Sequence, residues 1–224
     1  MGAYEGLSNY LDKPLSDYAN DFGYDESNIL ILRGDIDNLQ NNHLNIYQNL
    51  LSCRHHSDRR TPLEYGQDLV ASWIFEDIFI KEMQNDEFNI SLSGADRTRL
   101  ILPNQRTSTS SDYLIRSHNG YEITMELVND YTGFWYRNHK LHLRDNKYIQ
   151  LQRNHSLLLA IALSPQVQKF TLFDFRQDIP AVKIASHIPY GGKPAYELSV
   201  NSDSLHDFSF ENVRECILTT IGGF

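Results

Sequence analysis

The spacing of apolar residues shifts from helical to mainly strand-like near residue 88, and that change restricts the chain to few architectures. Before it the spacing is helical. Leu32, Ile36, Leu39, Ile46 and Leu50 follow alternating four- and three-residue steps, His43 fills the gap, and Leu44, Tyr47 and Leu51 widen the stripe. This predicts one amphipathic helix packed on a core. A dimer seam is the minority alternative, since the stripe runs for only about three heptads and includes a histidine. A second helix is predicted from about Tyr65 to Met83, where Leu69, Trp73, Phe75, Ile78 and Phe79 are apolar and Glu76 sits among them. Residues 1–27 are polar and turn-rich.

From Phe88 the pattern shifts to period two. Strands are predicted at Ile90–Leu92, Arg99–Leu102, Tyr113–Ile115, Tyr121–Val128, Ser156–Leu163, Phe170–Phe175, Ala181–Ile188 and Ala195–Val200. Helices are predicted at about Asn146–Asn154 and Phe210–Thr219. Helices first, then an antiparallel or mixed sheet with one inserted helix, give an α/β (α+β) core: a central mixed β-sheet flanked by helices, with an N-terminal helical segment.

Length agrees with a single domain over 1–224, since 224 residues and 26.0 kDa close a core without staples. Within it, 1–60 reads as an N-terminal helical segment, 65–175 as the core, and 176–224 as C-terminal strands and a helix. Two cysteines, Cys53 and Cys216, are too few for a disulfide framework. The loop Cys53–Arg60 brings Cys53, His55 and His56 together, but no second ligand pair supports zinc. The longest apolar run, Ser156–Leu163, is far shorter than the ~20 residues of a membrane helix. The first residues have no basic segment followed by an apolar one, so no secretory signal is read and a cytoplasmic location is expected.

The net charge of −9 argues against indiscriminate binding to polyanions. The average conceals an island. Residues 97–153 hold nine basic and five acidic side chains, a local balance of +4 that leaves −13 for the rest. A cationic island in an acidic chain fits a local site for a polyanion.

Chemistry concentrates in one hairpin. Ser111-Asp112 leads into Tyr113–Ile115, a His118-Asn119-Gly120 turn follows, and Tyr121–Val128 returns with Glu126 between Met125 and Leu127. His-Asn-Gly has the composition of a tight reversal. Adjacent strands can bring Asp112 and Glu126 together, and a divalent cation would relieve their repulsion. Carboxylate oxygens on rigid strands suit Mg²⁺, which takes one or two carboxylates plus water and phosphate oxygens.

An Asp, a short hairpin and a Glu in an apolar strand resemble the PD-(D/E)xK nucleases, the fold of most type II restriction endonucleases. The resemblance spans about residues 65–175, and the order of elements carries most of it. Ser111-Asp112 stands for Pro-Asp and Met125-Glu126-Leu127-Val128 for the Glu-x-Lys strand; Val128 occupies the lysine position. Members of this fold can recruit the lysine from elsewhere. Lys147 is the candidate, because Leu143, Lys147 and Leu151 recur at four-residue spacing and place its ammonium on a sheet-facing stripe. A buried ammonium is costly without carboxylate partners. A snorkelling surface lysine is the competing view, and Lys140 is the spare.

The resemblance implies Mg²⁺ held by Asp112, Glu126 and the Leu127 carbonyl, Lys147 as the third catalytic group, and Glu76 and Asp130 as auxiliary carboxylates; Glu122 is a further acidic alternative. It implies double-stranded DNA as partner, a homodimer on a palindromic site, no nucleotide cofactor and no membrane. Sequence choice would lie in the loops Arg54–Arg60, Gln105–Ser110, Phe134–Lys140 and Tyr190–Pro194, with Arg59, Arg60, Arg106, Arg137, Lys140, Arg144 and Lys193 as DNA-contacting cations. Loops rich in Asn and Gln lean towards A·T base pairs.

Rival readings rest on less. Arg137-Asn138-His139 and Arg153-Asn154-His155 evoke an HNH nuclease without its strand-turn-helix spacing. No P-loop glycine pattern is present, and no Gly-x-Ser-x-Gly elbow supports a serine nucleophile. A DNA-binding module that does not cleave, or a nuclease that reads DNA structure, remains the alternative that Val128 invites.

Overall fold

A computed structural model describes residues 1–53, 60–93, 98–102 and 111–222. Its helices come first: α1 (Ala3–Tyr10), α2 (Leu15–Asp21), α3 (Glu26–Arg33), α4 (Ile36–Asn42), α5 (Leu44–Ser52) and α6 (Pro62–Met83). Then follow β1 (Phe88–Leu92), β2 (Tyr113–Ser117), β3 (Glu122–Asp130), α7 (Phe134–Asn138), β4 (Lys140–Arg144), α8 (Asp145–Asn154), β5 (Leu157–Ser164), β6 (Val167–Asp174), β7 (Ala181–His187), β8 (Lys193–Ser199), β9 (His206–Asp207) and α9 (Phe210–Gly222). The fold is mixed, with a six-stranded sheet ordered β1-β2-β3-β5-β6-β9 and a three-stranded sheet ordered β4-β8-β7. An α+β architecture is therefore established.

The residues group into two units. One comprises 1–79 with 95–107, and the other 80–94 with 108–224, so the boundary falls inside the span 65–175 that the sequence assigns to one core.

In the first unit, the single helix expected over Leu32–Leu50 is three helices. Gly34, at φ 71, ends α3 in the left-handed conformation, and its neighbour Asp35 returns its N–H to Leu30 O at 2.9 Å. Asp35 then caps α4 by accepting from the Asn38 N–H at 3.2 Å. His43 closes α4 and opens α5. Leu32, Leu39 and Leu50 are buried, whereas Leu44 and Leu51 face outward at about half exposure. The turn-rich start of the chain holds α1 and α2, which the irregular polar pattern hides.

The strand expected at Arg99–Leu102 is not formed. Arg99 has φ 51, which no strand residue adopts. Side-chain amides take the carbonyls a strand partner would have used: Asn28 Nδ2 donates to Arg99 O and Asn49 Nδ2 to Ile101 O, both at 2.9 Å. Backbone acceptors must be satisfied by some donor, and here helices supply it.

In the second unit, all eight residues of β5 are buried, as expected of a strand covered on both faces. β3 and β5 run parallel, joined through α7, β4 and α8; the other pairings in this sheet are antiparallel. On one face Leu158, Ala160, Ala162 and Phe173 pack with Leu141 and Leu143 of β4, Tyr148 and Leu151 of α8, and Leu198 of β8, with Val128 against them. Leu143 therefore lies on the strand before α8, not on the helix where its spacing placed it. α9 buries Val213, Ile217 and Ile221, one helical stripe, and lies along β6.

Candidate active site

The β2–β3 hairpin sets the geometry. Gly120 at φ 85 closes the turn, Ser117 N–H donates to Tyr121 O at 2.9 Å, and Asn119 Oδ1 accepts from Tyr121 N–H at 3.1 Å. The register pairs Tyr113 with Met125. One step further sets Asp112 opposite Glu126, and residues directly opposite on adjacent strands project from the same face. β1 fixes the approach to that step: Ser93 N–H donates to Asp112 O and Ser93 Oγ to Ser111 O, each at 2.8 Å.

Asp112 Oδ2 accepts the Leu127 N–H at 2.8 Å, so one carboxylate is tied to the backbone just after the other. Glu126 is 7% exposed. Its Oε1 lies 2.6 Å from Lys147 Nζ, while its Oε2 is buried with no hydrogen-bond partner among the described residues. Burial, and then the Asp112 charge, push the Glu126 carboxyl up to about 7, with Lys147 opposing the rise. Like charges placed opposite each other on neighbouring strands destabilise a sheet, and a buried carboxylate oxygen without a donor is costlier still. This arrangement fits a hard divalent cation: two carboxylates, one with an orphaned oxygen, beside main-chain atoms of Leu127. No group of three or more His, Cys, Asp or Glu that could hold a metal ion is present among the described residues, so the two carboxylates would need ligands of another kind to complete a metal's shell.

Lys147 arrives from α8. Glu126 and Val128 share a face of β3, because strand side chains alternate, so an ammonium at position 128 would have projected beside Glu126. Val128 instead packs into the apolar cluster, and α8 lays Lys147 over the same face. Lys147 sits one turn before buried Leu151, which sets its stripe.

The other expected site residues fare differently. Asp130 accepts from the Thr132 N–H at 2.8 Å, from Thr132 Oγ1 at 2.6 Å and from the Trp135 N–H at 3.1 Å, which makes it the cap of the turn into α7. Glu122 forms an exposed ion pair with Arg116. Glu76 lies in the first unit, where Arg99 bridges it and Asp77 at 2.6 Å each and Tyr24 donates its hydroxyl to Asp77. These carboxylates hold Arg99 above its usual pKa range despite its burial.

Among the expected DNA-contacting cations, Arg59 and Arg106 lie outside the described residues, as do Gln105–Ser110 and all of Arg54–Arg60 except Arg60. Arg60 pairs with Asp68 at 2.7 Å and Lys140 with Glu197 at 2.8 Å. Arg137, Arg144 and Lys193 are exposed. The two Arg-Asn-His triplets have one explanation: each ends a helix. His139 and His155 both sit at φ 53 as the left-handed C-caps of α7 and α8.

One group has no counterpart in the sequence reading. His142 Nε2 lies 3.1 Å from Glu197 Oε2, and His142 Nδ1 lies 2.9 Å from His187 Nε2. Tyr190 donates its hydroxyl to His142 O at 2.7 Å. These residues come from three strands and a loop, so only the alternation of Leu141-His142-Leu143 could have marked His142 as cross-strand facing.

No protein-family model matches the chain, and no curated protein is significantly similar to it.

Proposed function

We propose that this chain is a Mg²⁺-dependent endonuclease acting on double-stranded DNA, built like the PD-(D/E)xK nucleases with a lysine relocated from the catalytic strand to the following helix. One observation carries the reading: Asp112, Glu126 and Lys147, from two strands and a helix, converge on one face while a buried Glu126 oxygen has no partner among the described residues. A cation beside the two carboxylates would complete that oxygen's coordination.

Asp112, Glu126 and the Leu127 carbonyl would hold the metal. Bound there, Mg²⁺ supplies a water of lowered pKa and stabilises charge on the scissile phosphate. The Leu127 N–H fixes the rotamer of Asp112, and Ser93 fixes the backbone behind it, so neither carboxylate has to be ordered when substrate arrives. Lys147 neutralises one Glu126 oxygen and offers its remaining N–H donors to a phosphate oxygen or to the attacking water. No covalent enzyme intermediate is required. Its proposed form is a type II restriction enzyme working in the cytoplasm, a homodimer whose two-fold symmetry would match a palindromic site. No helix among the described residues is long and apolar enough to cross a membrane.

Plasmid incubated with the purified protein and Mg²⁺ tests this. Discrete fragments are expected, abolished by EDTA. Asp112→Ala and Lys147→Ala should each lower the rate on the order of 10²-fold or more, the scale for removing one charged group that acts in the transition state. Full cleavage by Asp112→Ala would overturn the assignment. Intact but bound DNA would mark a binding module, and nicked or branched-substrate products a structure-reading nuclease.

A further inference from the structure

The hairpin joining β7 to β8 displays an isoleucine that the fold does nothing to hide. Ile188 is 88% exposed, and Pro189 beside it is exposed as well. A lone surface isoleucine is ordinary. What sets this one apart is the frame that holds it out and the charges around it.

Ile188–Tyr190 form a single 3₁₀ turn with proline in its first positions, which fixes one φ. Gly191 and Gly192 follow at φ 67 and 77, a left-handed pair that L side chains seldom adopt. They close the tip through Gly191 N–H to Ile188 O at 2.9 Å and Gly192 N–H to His187 O at 3.0 Å. Below the tip, Tyr190 is bolted to the β4 backbone through His142 O at 2.7 Å. His187, buried, is joined to His142 at 2.9 Å, and His142 is anchored to Glu197 at 3.1 Å. The loop is thus tied at both ends, and Ile188 cannot fold back without breaking that frame.

Two cations lie beside the tip. The Arg144 guanidinium is 5.4 Å from the Tyr190 ring centre, and Lys193 begins β8, the strand that pairs with β4 at Arg144. Both are exposed, and neither forms an ion pair among the described residues. Arg144 ends β4 immediately before α8, the helix that carries Lys147 to Glu126. A backbone that reaches Lys147 would therefore pass the same end of this unit.

We infer that Ile188, backed by Pro189, is a wedge that enters a step between stacked base pairs of the DNA substrate, with Arg144 and Lys193 holding the flanking phosphates. The inference rests on the nuclease reading. A rigid apolar tip suits this role, because partial unstacking costs a few kcal/mol per step and a mobile side chain would add an ordering cost. The two cations beside the tip supply the affinity that offsets it.

The test begins by mapping the cleavage site in Mg²⁺, so failure of the nuclease reading shows first, as uncut DNA, and takes the wedge with it. Circularly permuted fragments carrying the mapped site are then bound in Ca²⁺. Wild-type protein should retard them with the position dependence of a kink of roughly 20–90°. Ile188→Ala should lose most of that dependence and cut more slowly, on the order of tenfold, with an unchanged melting temperature, while Ile188→Leu retains the bend. Cleavage without a bend, or an equal bend by Ile188→Ala, overturns the wedge and leaves the nuclease standing. An Ile188→Ala variant that bends DNA but sediments at half the wild-type mass would assign the tip to a contact between copies and overturn it equally.

Discussion

Glu126 combines three properties that rarely persist together: it is buried, it faces another carboxylate, and one of its oxygens has no donor. Each costs stability, and Lys147 offsets only part, since an ion pair out of water regains little more than its desolvation cost. The consequence for pH follows from the raised carboxyl. Folded protein keeps the Glu126 proton up to about 7, whereas the unfolded chain releases it near the ordinary carboxylate value. Protonation thus favours the folded state. The contribution is fully present below the unfolded value and is lost as pH rises through about 7. In EDTA, urea denaturation should show metal-free stability falling by up to about 3 kcal/mol between pH 4.5 and 8. Glu126→Gln should remove that slope and be the more stable protein at pH 8. A slope unchanged in Glu126→Gln would show that another group titrates. Lys147 was legible from its spacing to Leu151, and the cost of burying an ammonium pointed to Asp112 and Glu126 as its partners; packing decided that its ion pair is with Glu126.

At the scale of elements, the proposed relocation of the lysine from strand to helix makes a sharp prediction. Position 128 shares a face with Glu126, so Val128→Lys in a Lys147→Ala background should restore cleavage at least about tenfold over Lys147→Ala alone, since a positioned charge is worth 10²–10³ in rate. Plasmid cleavage rates of the two variants decide it. Equal rates would mean that an ammonium from β3 cannot reach the position that α8 serves. Elements also show where periodicity misleads. The Leu32–Leu50 stripe was continuous in sequence because helices α3, α4 and α5 each bury one side, and Gly34-Asp35, a left-handed stop followed by a cap, breaks the chain without breaking the pattern. The Arg-Asn-His triplets, which resembled a nuclease motif, are helix ends. The failed strand at Arg99–Leu102 had an apolar pattern but met asparagine amides instead of a partner strand.

For the whole molecule, the charge balance sets how the proposed DNA partner would be bound. A chain of net charge −9 repels a polyanion except where its cations cluster, so binding should be salt-sensitive and local. Fluorescence anisotropy with a site-containing duplex in Ca²⁺ should give a log–log salt dependence whose slope falls by about 1 for each of Arg144→Ala and Lys193→Ala. Slopes equal to wild type would remove both from the phosphate contacts. Sequence alone determined the α+β class, the strand-turn-strand around Gly120 and the juxtaposition of Asp112 with Glu126. Those depend on period, turn chemistry and register, which act over a few residues. Tertiary structure alone decided that Glu126 is the carboxylate Lys147 pairs with, that Asp130 and Glu76 serve other bonds, and that His142, His187 and Tyr190 brace one loop. Such contacts join residues far apart along the chain, and side-chain pairing across that distance follows from packing, which no local pattern encodes.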